Sequence, residues 1–158
     1  DWQTGLIPLY MKLDNMDTKS IFTIHNLGYQ GRFPSSKFPI LGLPKEYFDL
    51  EGIEFYGDIN FLKAGILYSD IVTTVSENYA REIQTSESGF GLDGVLNKRS
   101  NSLVGIINGI DYSLWNPEND SLIYQKYNDF NGKQKNKARL TEECNIDCER
   151  PSRSKNLG

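Results

Sequence analysis

The chain has 158 residues, a net charge of −4 and 38% hydrophobic residues, enough for one domain with a buried core. The acidic balance argues against a nucleic-acid or anionic-membrane partner, since either calls for a basic surface. No apolar run approaches the ~18–20 residues that span a bilayer.

Residues 5–13 are predicted to form a helix capped by Thr4, with Leu6, Leu9, Tyr10 and Leu13 on one face and Pro8 in the first turn. The β-branched and aromatic run Ile21-Phe22-Thr23-Ile24 predicts a buried strand over residues 20–25, delivering His25 and Asn26 to its carboxyl end. His25 is the one histidine of the chain. A long connection follows, from Leu27 to about Gly57, punctuated by Pro34, Pro39 and Pro44. Its aromatics (Tyr29, Phe33, Phe38, Tyr47, Phe48, Phe55, Tyr56) favour an ordered, packed segment. Asp58 is placed to cap a helix through Tyr68, with Ile59, Leu62 and Ile66 inward. The run Ile71 to Val75 is a second strand, and Ser76 caps the helix after it, although Tyr79 stands where a full capping box needs Glu or Gln. Leu103 to Ile107 is a third strand, ending at Asn108-Gly109, and Lys133 to Glu143 a polar surface helix. Three short apolar strands separated by helices indicate an α/β fold with a parallel sheet.

Several of these stretches carry a resemblance. DWQTGLIPLY at the start, FTIHNLGYQGRFP, EFYGDINFLKAGILYSDIVTTVSENYAREI, GFGLDGVL, GIINGIDYSLWNPEND and NKARLTEE follow one another in order. Together they resemble the bacterial-type glycogen and starch synthases, retaining glucosyltransferases that extend an α-1,4-glucan from ADP-glucose. The resemblance covers roughly residues 1–147. It implies part of the N-terminal, acceptor-side Rossmann-like domain of a two-domain GT-B enzyme. It also implies a glucan acceptor and ADP-glucose as partners, with no separate cofactor. The family's glycine-rich lysine motif would lie upstream, and its second domain beyond the chain's end. Residues 148–158, including Cys148, depart from the family and read as a polar tail.

In parallel α/β sheets, ligands bind beyond the carboxyl ends of the strands. His25 stands at such a position, and a lone histidine there as often merely satisfies a backbone group. The resemblance implies that it lies against the transferred glucose, partly through its backbone carbonyl, near the positive charge that develops at the anomeric carbon. Asp1 aligns with the family's Asp-Trp-His-Thr-Gly motif, beside the acceptor, where a carboxylate orients hydroxyls. A solvated, mobile first residue is the plain alternative, and Gln3 stands in place of the family's usual histidine. Asn26, Tyr29, Gln30 and Asn108 are the expected substrate contacts. An ordinary Asn-Gly turn is the alternative for Asn108, and core packing for the aromatics. Tyr56 and Asn60 also carry groups suited to a sugar. Trp115-Asn116-Pro117 looks like a packing and turn element.

The segment Gly89-Phe90-Gly91-Leu92-Asp93-Gly94 matches a dinucleotide fingerprint, but that motif needs a strand before it and Gln84 to Ser88 reads as a loop. It is expected to be a structural loop before a helix. Cys144 and Cys148 are too few for a zinc site, and no metal is expected. With no basic-then-apolar leader, the cytoplasm is the expected compartment, or a plastid for a plant or alga. The resulting expectation is glucosyl transfer by the family, with this chain a truncated and inactive part. A stand-alone glucan-binding domain or remnant is the alternative, followed by a related transferase using another sugar nucleotide and, last, a nucleotide-dependent oxidoreductase.

Overall fold

The computed structural model describes residues 1–146. A 3-10 turn at Trp2–Thr4 leads into α1 (Ile7–Leu13) and β1 (Ile21–Ile24). Next come β2 (Arg32–Pro34), 3-10 segments at Ser35–Leu41 and Lys45–Tyr47, β3 (Glu54–Phe55) and β4 (Asp58–Asn60). They are followed by α2 (Phe61–Tyr68), β5 (Ile71–Thr74), α3 (Glu77–Glu82), α4 (Asp93–Lys98), a 3-10 turn at Ser100–Ser102, β6 (Leu103–Gly105) and α5 (Phe130–Glu143). The chain divides into two compact units, one of residues Asp1–Asn108 and one beginning at Gly109.

In the first unit, β1, β5 and β6 form a parallel sheet in that order, with Ile21 opposite Ile71 and Val72 opposite Leu103. The predicted parallel α/β architecture is therefore present. Phe22, Ile24 and Val72 pack with Leu62 and Ile66 of α2 and with Ile83, Leu92 and Leu96 in one buried cluster. The helix approaches the sheet closely because residue 65 is glycine: a Cβ there would meet the Phe22 ring at 2.4 Å. A second cluster holds Leu6, Leu9, Phe38, Leu43, Ile53 and Ile59.

The connection after β1 is ordered, as its aromatics suggested, and it builds a second sheet that the sequence pattern did not announce. Strands β2, β4 and β3 lie antiparallel in that order. They have only two or three residues each, too short for a period of two to register. Asp58 consequently sits in β4, where its carboxylate pairs with Arg32 at 2.9 Å, and does not cap α2. Asn60 is the cap: its side-chain oxygen accepts from Lys63 N at 2.9 Å. Thr4 likewise donates to Asp1 O at 3.1 Å, and α1 begins only at Ile7. Ser76 caps α3 as expected, accepting from Tyr79 N at 3.0 Å.

The second unit is tied by local side-chain turns. Asp111 accepts from Ser113 N, at 2.9 Å, and from the Ser113 hydroxyl, and these bonds together with one from Leu114 N hold its carboxyl below the usual range. The helix α5 starts earlier than the sequence suggested, because Asp129 accepts from Gly132 N at 2.7 Å. Asn136 clasps Gln125 through both its N–H and its carbonyl. The polar tail expected at 148–158 lies outside the described residues. No described helix is long and apolar enough to cross a membrane.

Candidate active site

His25 follows the last residue of β1, and the peptide joining Ile24 to His25 is pinned at both ends. Its carbonyl, Ile24 O, accepts from the buried Thr74 hydroxyl of β5 at 2.7 Å. Its N–H, on His25, donates to Asp1 Oδ1 at 2.9 Å. Asp1 is itself seated: its backbone nitrogen donates to Thr23 O at 2.8 Å. The other carboxylate oxygen, Oδ2, meets His25 Nδ1 at 2.9 Å. An ionised carboxylate only accepts hydrogen bonds, so Nδ1 carries the proton and Nε2 is the ring atom left to a ligand. The imidazole side chain is 58% exposed.

Beyond His25, Leu27 N donates to the Tyr79 hydroxyl at 3.0 Å. Asn26 Oδ1 accepts from Gly28 N at 2.9 Å, a side-chain turn that shapes the loop. The His25 carbonyl thus lies between two peptide units held by Asp1, Thr74 and Tyr79.

Next to this strand end is a groove of about 600 Å³ lined by Trp2, residues 28–33, Phe55 and Phe90. Tyr29 is 69% exposed along it. Gln30 also lines it but is buried, and both ends of its amide are engaged: Nε2 donates to Phe90 O at 3.1 Å, and Oε1 accepts from Asn60 Nδ2 at 2.8 Å. Asn60 is fully buried and serves the α2 cap and this bridge. Tyr56 is exposed on a different cavity, of about 460 Å³, which it shares with Glu51, Lys63 and Lys98. There burial pushes the Lys63 amine down, against the raising effect of Glu54, Glu51 and Asp49. Its ammonium is held by Leu50 O at 2.7 Å and Glu54 O at 2.6 Å.

Asn108 is exposed beyond the carboxyl end of β6, with β5 between that strand and β1. The sheet therefore brings Asp1 and His25 into contact and puts Tyr29 and Gln30 on the adjoining groove, while Asn108 shares only the same sheet edge. Phe90 is the groove residue that sequence reasoning passed over. An aromatic between two glycines was its available signal. As expected, the segment from Gly89 follows a helix and turns and has no strand in front of it, and its last two residues, Asp93 and Gly94, already open α4.

A parallel sheet under helices, with its polar residues gathered past the strand ends, defines a Rossmann-like α/β domain. The chain belongs to the starch synthase catalytic-domain family, whose model matches residues 1–98. It is 54% identical over 148 residues to the glycogen synthase of Thermodesulfovibrio yellowstonii, covering 89% of this chain and 30% of that protein. The glycogen synthase of Thermosipho africanus is 53% identical over 154 residues, 92% of this chain and 32% of the relative. The chain thus spans about a third of the length of the curated relatives it matches. Among solved structures it matches the catalytic domain of starch synthase IV from Arabidopsis thaliana, bound to ADP and acarbose. That match has a TM-score of 0.70 and 34% identity over 95% of this chain and 33% of the other.

Proposed function

We propose that this chain is the acceptor-side part of an ADP-glucose-dependent glucan synthase, acting in the cytoplasm together with a second domain that holds the donor. The observation that carries the reading is the fixed peptide at the end of β1. In a glucosyl transfer, the bond from the anomeric carbon to the nucleotide phosphate breaks and a bond to a glucan hydroxyl forms. Positive charge develops on the sugar between the two events. Catalysis then calls for dipoles already oriented toward that charge, more than for a base. The His25 carbonyl is such a dipole, because Thr74, Asp1 and Tyr79 hold the peptides around it. Asp1 has a positioning part, setting the His25 peptide and the imidazole tautomer. Tyr29 and Asn26 lie on the acceptor side, and Asn108 lines the far part of the same edge. ADP-glucose and an α-1,4-glucan are the substrates, and no cofactor is assigned.

The test is incorporation of labelled glucose from ADP-glucose into glycogen, by the chain alone and supplemented with the remainder of a relative's synthase. The expected outcome is no turnover alone and incorporation on complementation, reduced by Asp1→Ala, which releases the His25 peptide. Transfer by the chain alone would refute the division of labour. A second reading, a glucan-binding domain without catalysis, draws on the groove and its exposed Tyr29. It predicts maltoheptaose binding with no incorporation under either condition.

A further inference from the structure

The loop that the sequence suggests is merely structural presents an aromatic ring to the groove, under strain. Phe90 has a backbone φ of +48°, a left-handed conformation that side chains other than glycine adopt at a cost. The residue is nonetheless 59% exposed. Neither the strain nor the exposure is explained by core packing.

What holds it there is visible. The Phe90 carbonyl accepts from Gln30 Nε2 at 3.1 Å, and Gln30 is fixed from behind by Asn60 Nδ2 at 2.8 Å. Asn60 is completely buried at the start of α2, so the chain of bonds runs from a rigid helix end to an exposed ring. The ring then stands over Gly28, where a Cβ would lie 3.9 Å from Phe90 Cζ. Gly28 is in the loop that carries Asn26 and Tyr29. An exposed phenylalanine that shares an open groove with a second exposed aromatic, Tyr29, suits the apolar face of a pyranose.

We propose that Phe90 is a glucan-stacking residue of the acceptor groove, and that Gln30 positions it and does not itself contact the sugar. This inference rests on the glucan reading above. Gln30 therefore acts through Phe90.

The experiment is titration of the purified chain with maltoheptaose, followed by calorimetry or backbone NMR, with urea midpoints checking that each variant folds. Phe90→Ala is expected to weaken binding roughly tenfold, the loss of a mostly buried aromatic contact, and Phe90→Trp to retain it. Gln30→Ala is expected to weaken binding less. The double variant should bind no more weakly than Phe90→Ala, since a residue acting through Phe90 adds nothing once the ring is gone. Additive losses would overturn the positioning part and make Gln30 a direct contact. Wild-type binding unchanged by Phe90→Ala would overturn the inference while leaving the glucan reading intact. No binding by a folded wild-type chain would overturn both.

Discussion

Gly31 stands against the Trp2 indole in a left-handed conformation, with φ +62° and a would-be Cβ 2.4 Å from Trp2 Cε3. Gly31→Ala is therefore subject to two separable costs. Holding alanine in the left-handed region costs about 1–2 kcal/mol. Displacing a packed ring to admit a methyl group costs about 1–3 kcal/mol more. Gly42 separates the two terms, because it has φ +64° and nothing within 4 Å of its Cβ position. Gly42→Ala should thus lose only the first term, and Gly31→Ala about 2–5 kcal/mol in all. Both substitutions narrow the unfolded ensemble equally, so that contribution cancels in the comparison. With a urea m-value of about 1–3 kcal/mol/M, the Gly31→Ala midpoint should fall about 1 M below that of Gly42→Ala. In a Trp115→Phe background, the remaining indole emission should also shift to the red as Trp2 leaves its seat. Equal midpoints for the two variants would refute the reasoning, because they would mean that Trp2 is not seated on Gly31. The clasp of Asp1 on His25 would then lose its anchor one residue away.

Further expectations concern the site and the opposite end of the sheet. Asp1→Ala removes the acceptor facing His25 Nδ1, so ¹⁵N spectra of the single imidazole should shift from the Nδ1–H toward the Nε2–H tautomer; an unchanged spectrum would show that the clasp does not form. At the amino end, bonds from Ser20 N, the Lys19 ammonium and the Ser20 hydroxyl lower the Asp70 carboxyl to about 2 from its ordinary value of 3.8. Its stabilising contribution is therefore complete above pH 3.8 and lost as the pH falls toward 2. Asp70→Asn should flatten the acid limb of a stability–pH curve, and a parallel curve for the variant would count against these bonds. Asn60→Ala removes the α2 cap and the support of Gln30 together. It should cost about 1–2 kcal/mol, read in urea, and an unchanged midpoint would contradict the capping assignment.

The strands β1 and β5 were legible because uninterrupted β-branched runs between polar residues have few other solutions. Ser76 was legible as a cap because its preference is local. Asp58 was read as the cap, but strand pairing takes it away, because Arg32 across the sheet engages it, and Asn60 two residues on caps the helix instead. The β2–β4–β3 sheet was hidden for the same reason, since segments of two or three residues take their conformation from partners remote in sequence. Gln30 illustrates the limit at the site. Its amide was recognisable as a polar group near His25, but its partners, Phe90 and Asn60, lie 60 and 30 residues away. His25 itself was readable from its place at a strand end, whereas its contact with Asp1 depended on where the first residue folds back.

The parallel pairing of β1 with β5 joins residues 50 positions apart, Ile21 with Ile71. At synthesis rates of about 5–20 residues per second, the first strand waits roughly 3–10 s on the ribosome for its neighbour. During that interval Phe22 and Ile24 have no sheet to enter, and the run from Ile21 to Ile24 is a sticky template for other chains. The small antiparallel sheet lies wholly inside this stretch, between Arg32 and Asn60, and its local contacts are available first. The clasp at His25, whose Thr74 tether arrives last, is then a late event of biogenesis, and slowing translation across residues 60–75 should prolong the nascent chain's dependence on chaperones.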